Sequence, residues 1–147
     1  MTQVASQDKA LARLQLCPRT ADEGAVDGVW WPKSADLGTE LPDLIAVFGF
    51  WIGPVRRVVY DKSFWRSAPS RVIRGNTVIS VDPYKMVARD TIYLLGTHSR
   101  DAVLYVVPSR TDQATAHRVL RAVVEHVHTT SAATLRLMLA QPTAAVK

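Results

Sequence analysis

The chain has a single cysteine, Cys17, in 147 residues. No intrachain disulfide can form, and that usage fits a reducing compartment. Long apolar runs are also missing. The longest, Leu44 to Ile52, is nine residues with Gly49 inside it, well short of the ~20 needed to span a bilayer. The first nine residues contain no apolar stretch of the secretory type. These absences point to a cytoplasmic protein away from membranes.

Chemical signatures are scarce as well. No C-x-x-C, H-E-x-x-H, Walker or G-x-G-x-x-G pattern occurs. The four histidines do not make a metal set. His117 and His128 stand eleven apart on a predicted helix, about 16 Å at the standard rise, and His126 and His128 point away from each other. No cofactor and no metal are expected.

The remaining composition is that of a folded domain. Apolar residues make up 48% and charged residues 21%, values typical of globular chains. A chain this long can bury a core without staples. The net charge of +5 is local. Between Val55 and Gly75 lie Arg56, Arg57, Lys62, Arg66, Arg71 and Arg74, against Asp61 alone. The other 126 residues hold twelve basic and twelve acidic side chains. A local excess of this kind suits an anion-facing surface.

Periodicity predicts a short strand at Leu14–Leu16, then Ala25–Trp31, and a hairpin between them. Ser34 or Asp36 can cap a helical turn. Leu37, Leu41, Leu44, Ile45 and Phe48 then form one helical face. Pro42 fits as a first-turn residue of that helix, with 36–40 as a preceding turn, and Gly53-Pro54 stops it. Strands follow at Val55–Tyr60, Arg71–Arg74 and Thr77–Val81, the last two joined by a Gly75-Asn76 turn. Thr91–Leu95 and Ala102–Val107 are apolar on both faces, which predicts central strands covered on each side. Thr111 or Asp112 caps a second helix carrying Ala116, Val119, Leu120, Val123 and Val127. The expected fold is α+β: an antiparallel sheet of six to seven strands with two main helices. One domain is expected over 12–128, with a flexible 1–11 and a tail, 129–147, that can hold one short helix at Leu135, Met138 and Leu139.

Three groups of residues invite a functional reading. The first is Val26-Asp27-Gly28-Val29-Trp30-Trp31-Pro32-Lys33-Ser34. Strand neighbours point to opposite faces, so one tryptophan packs inside while the other faces out or lies under the first helix. An outward indole with Asp27, Lys33 and Ser34 would make a binding site for a protein or small ligand. Complete burial of both rings, one in each layer of a sandwich, is the more ordinary fate of large aromatics. The second group is Arg56, Arg57, Arg66, Arg71 and Arg74, with Tyr60, Phe64 and Trp65 interleaved. Arginines with aromatics suit nucleic acid or another anion, although arginines on neighbouring strands are commonly just a solvated face. The third is a cleft around Asp61, His98 and Arg100, which needs those side chains to converge. Cys17, set between leucines, reads as a core residue.

The Asp27–Ser34 segment resembles an uncharacterised domain family of high-GC Gram-positive bacteria. Members of that family carry V-D-G-x-W-W-P-[RK]-S after a short R-L-x-L strand, which is Arg13-Leu14-Gln15-Leu16 here. The similarity runs through Glu40-Leu41-Pro42-x-Leu44 and Val59-Tyr60…Trp65 to Val106-Val107-Pro108…Thr111 and the last helix around Ala116-His117, over 12–128. It implies a small stand-alone bacterial domain and supplies no activity. The resulting expectation is a non-catalytic binding module. A protein or a small anion is its expected partner, nucleic acid the alternative, and a small enzyme near His98 a further one. A homodimer remains compatible with the sequence.

Overall fold

Seven strands and three helices form among the residues described by the structure, a computed structural model: 13–16, 26–85, 88–97, 101–125 and 131–140. In chain order they are β1 (Leu14–Leu16), β2 (Gly28–Trp30), α1 (Leu37–Ile52), β3 (Val55–Tyr60), β4 (Arg71–Arg74), β5 (Thr77–Pro83), β6 (Thr91–Gly96), β7 (Asp101–Val106), α2 (Gln113–Glu125) and α3 (Ala132–Ala140). The expectations for 1–11, Cys17, His98, Arg100, His126, Val127 and His128 lie outside the described residues. No helix among the described residues is long and apolar enough to cross a membrane.

The chain divides into two compact units, 1–32 with 104–147, and 33–103. In the first, β1 runs antiparallel to β2, and β2 runs parallel to the carboxyl half of β7. Val29, Trp30, Leu104, Tyr105 and Val106 are all buried, so these strands are covered on both faces. Helix α2 packs on β1 and β2 through its buried stripe of Ala116, Val119, Leu120 and Val123. Asp112 caps it as expected: its carbonyl accepts from the Ala116 amide and its carboxylate from the Thr115 amide. Hydrogen bonds from the Thr115 side chain and then its amide hold the Asp112 carboxyl below its ordinary range. The short tail helix forms as α3, buries Leu135, and accepts a bond from Arg118 at the Met138 carbonyl.

In the second unit, α1 buries Leu37, Leu41, Leu44, Ile45 and Phe48. It begins earlier than the sequence suggests. Residues 37–40 are helical, and Pro42 sits in the helix interior, where it donates no bond. The start is held from outside instead. The Leu37 amide donates to the Ser67 carbonyl, and the Glu40 carboxylate accepts from the Lys33 amide and the Ser34 hydroxyl. At the far end Gly53 takes φ 105°, the left-handed region that glycine tolerates.

The sheet is mixed, not antiparallel. β3 runs parallel to β5 and antiparallel to β6, while β4 runs antiparallel to β5. The order in this unit is β7-β6-β3-β5-β4. The chain leaves β3, passes the end of β5 to reach the edge strand β4, returns along β5, then passes the end of β3 to reach β6. Both connections lie at the carboxyl ends of β3 and β5. The strand order makes them interlace there, an uncommon arrangement because connections at one sheet edge seldom cross.

Candidate functional site

Parallel pairing places the ends of β3 and β5 side by side. Tyr60 stands opposite Pro83, so the residues that follow each strand become neighbours. They enclose a half-open cleft of about 490 Å³ lined by Asp61, Lys62, Ser63, Pro83, Tyr84, Lys85 and Arg89. One bond fixes the floor: the Tyr84 amide donates to the Tyr60 carbonyl at 2.8 Å. The first connection is shaped by Asp61, which is buried and accepts from the Ser63 amide at 2.9 Å and the Ser63 hydroxyl at 2.6 Å.

Charge in the cleft is unbalanced. Lys62, Lys85 and Arg89 are exposed cations, and none has an ion pair among the described residues. The Arg89 guanidinium lies 5.9 Å from the Phe64 ring, which gives it a platform. Among the described residues Asp61 is the lone carboxylate in the lining, and it is engaged by Ser63. Tyr84 joins the cleft to the sheet, because its hydroxyl accepts from Arg57 at 3.2 Å. Arg57 also donates to Asp82 at 2.7 Å, and that bond holds its charge firmly and raises its pKa. Burial, with the Asp82 charge behind it, pushes the Tyr60 phenol above its usual range.

The tryptophan motif is placed differently from the expected binding surface. Both indoles are buried: Trp30 is 5% exposed and Trp31 7%. Strand alternation does not extend to Trp31, because β2 ends at Trp30. Trp31 lies beyond the strand, with the Arg13 guanidinium 4.1 Å above its ring and His117 edge-on at 5.7 Å. Its backbone is held as well, the amide donating to the Arg13 carbonyl and the carbonyl accepting from the Arg13 side chain. Gly28 allows β1 and β2 to close, since a Cβ there would lie 2.5 Å from the Gln15 carbonyl oxygen. Lys33 is exposed, but its amide, like the Ser34 hydroxyl, is bound by Glu40 at the start of α1. Asp27 is half-buried. Each part of the motif for which bonds are described does structural work.

The five arginines do not form one patch. Arg56 is the extra residue at a bulge in β3 and donates to the Gly96 carbonyl. Arg66 is exposed in the first connection. Arg57 and Arg71 share a face, because both stand opposite Ser80. Arg74 points to the other face, where it borders a second cavity of about 360 Å³ with Ile45, Gly49, Val55 and Ile79. Of the interleaved aromatics, Tyr60 and Trp65 are buried and Phe64 packs edge-on against Trp65. Of the proposed enzymatic cleft only Asp61 is described, since His98 and Arg100 lie outside the described residues. No grouping of three His, Cys, Asp or Glu residues able to hold a metal occurs among the described residues.

Lys85, Arg89 and Tyr84 belong to none of the three groups that stand out in the sequence. They lie beyond the basic stretch and reach it only through the parallel pairing. The one local signal is a second basic segment directly after β5, Tyr84-Lys85 followed by Arg89.

Fold and cleft together define an α+β protein with a mixed sheet and a cationic cleft at the ends of two parallel strands. The chain belongs to a family of unknown function, DUF5994, whose profile matches residues 13–123. No curated protein and no solved structure matches it significantly.

Proposed function

We propose that this protein is a non-catalytic binding module whose site is the cleft at the carboxyl ends of β3 and β5, and whose ligand presents a phosphate or a comparably compact anion. The observation that carries this reading is the gathering of Lys62, Lys85 and Arg89 around one cleft whose only carboxylate is already bonded to Ser63. Three cations without acidic partners repel one another, and a bound anion relieves that repulsion. The Tyr84 ring supplies an apolar wall and a hydroxyl at the rim. Asp61 and Ser63 hold each other and thereby shape the loop that carries Lys62.

Titration calorimetry with inorganic pyrophosphate at low salt tests the reading. Saturable binding is expected, and Lys85→Glu should weaken it by an order of magnitude or more, since it removes one attraction and adds one repulsion. The reading fails if the wild-type protein takes up no pyrophosphate, or if Lys85→Glu binds it equally well.

A further inference from the structure

Strand register in the second unit defines one sheet face residue by residue. Ile73 of β4 stands opposite Val78 of β5. Arg71, Ser80, Arg57 and Leu95 form the next row across β4, β5, β3 and β6. Asp82, Val59 and Tyr93 form the row beyond. The opposite face, with Val58, Tyr60, Ile79, Val81, Ile92 and Leu94, is buried. This one is open. Ile73 is 65% exposed, Val78 57%, Tyr93 43% and the adjoining Tyr84 55%. Apolar patterning on both sides of β6 predicts a strand covered on each side, yet Tyr93 is 43% exposed and no described residue covers that side. Large apolar and aromatic side chains grouped on one surface mark an interaction site.

Its charge selects the occupant. Asp82 is the only acid in these rows, and Arg57 neutralises it. Arg71 has no partner among the described residues, and the face runs through Arg57 and Tyr84 into the cleft with its three further cations. A second copy of this chain would bring the same positive surface and be repelled. A polyanion that also carries flat apolar rings meets both requirements: bases stack on exposed aromatic side chains and phosphates meet the cations. A duplex hides its rings, so it satisfies the charge but not the apolar surface.

We infer that the open face of β4, β5, β3 and β6 binds single-stranded nucleic acid, with the cleft as its phosphate-binding end. This rests on the anion-binding reading of the cleft. Tyr93 and Tyr84 supply ring platforms, Ile73 and Val78 an apolar floor, and Arg71, Lys62, Lys85 and Arg89 the phosphate contacts.

The test is fluorescence anisotropy of a labelled oligothymidylate of about 12 nucleotides, titrated with the full chain at about 50 mM salt. Saturable binding is expected, at least several-fold tighter than to a duplex of equal length. With four phosphates neutralised, log K should fall against log salt with a slope of roughly −3. Tyr93→Ala and Arg71→Glu lie on exposed positions and leave the fold intact, which unchanged melting temperatures verify. Each should weaken binding about five-fold or more. Equal binding of duplex, or no effect of Tyr93→Ala, overturns the inference. So does dimerisation that buries Tyr93 and excludes the oligonucleotide. If the oligonucleotide fails to bind while pyrophosphate still enters the cleft, this inference falls and the anion reading stands; if neither binds, both fall.

Discussion

Replacing Gly28 with alanine tests whether the tryptophan motif is a structural device. The new Cβ would lie 2.5 Å from the Gln15 carbonyl oxygen, 2.8 Å from a Leu16 methyl and 3.1 Å from a Leu104 methyl. The methyl groups can rotate away, but the backbone oxygen cannot. Ordinary contact begins at 3.4 Å, so the oxygen must retreat by about 0.9 Å. Moving β1 that far strains its pairing with β2, including the 2.7 Å bond from the Trp31 amide to the Arg13 carbonyl. Overpacking of this kind costs about 1–3 kcal/mol, and the entropy saved by losing a glycine offsets about 0.5–1 kcal/mol of it. With a backbone oxygen as the obstacle the cost falls toward the upper end, a net loss of about 1–2.5 kcal/mol, which for a chain of this length lowers the melting temperature by roughly 2–10 °C. Thermal unfolding followed by circular dichroism reads the effect directly. Pyrophosphate affinity of the folded protein should stay unchanged, because the cleft lies in the other unit. A Gly28→Ala protein that melts like the wild type would refute the close approach of β1 and β2.

Further substitutions separate the other contributions. Gly49→Ala should raise stability by about 0.5–1 kcal/mol, since a Cβ there meets nothing within 4 Å; a lower melting temperature would contradict the open space beside α1. Phe48→Ala removes a side chain that is 1% exposed and should cost about 3–5 kcal/mol in chemical denaturation. In a Trp51→Phe chain the remaining indoles, Trp30, Trp31 and Trp65, are all at most 7% exposed, so acrylamide should quench them far less than free tryptophan. The Ser67 and Thr39 hydroxyls hold the Asp36 carboxyl below its ordinary value. A depressed carboxyl stabilises the fold above its unfolded pKa of about 3.9, and that contribution disappears as pH falls through the folded value. Asp36→Asn should therefore melt lower than the wild type at pH 7, and the gap should close in strong acid. Asp82→Asn frees the Arg57 guanidinium and should tighten pyrophosphate binding, as titration calorimetry would show.

Much of the element order was legible because local signals fixed it. The stripe of Leu37, Leu41, Leu44, Ile45 and Phe48 marks α1, Gly53-Pro54 its stop, and Gly75, at φ 62°, the turn between β4 and β5. Pairing was not legible. Nothing in Val55–Tyr60 or Thr77–Pro83 says that these strands run parallel and side by side, because that depends on the non-local order in which strands join the sheet. The cleft inherits this blindness: Lys62 and Lys85 are 23 positions apart and meet only through the pairing. The tryptophan motif attracted a functional reading because paired indoles are conspicuous. Arg13 and His117 pack around Trp31, and Glu40 binds the Lys33 amide and the Ser34 hydroxyl. The basic stretch falls on β3, β4 and the connection between them, while register decides which arginines share a face.

Where the anion binds is most directly measured by amide chemical shifts of the isotopically labelled protein during a pyrophosphate titration. Saturable shifts are predicted at Lys62, Ser63, Tyr84, Lys85 and Arg89, with Val29 to Ser34 unmoved. Shifts centred on Trp30, Trp31, Lys33 and Ser34, with Lys62 to Arg89 silent, would contradict the account.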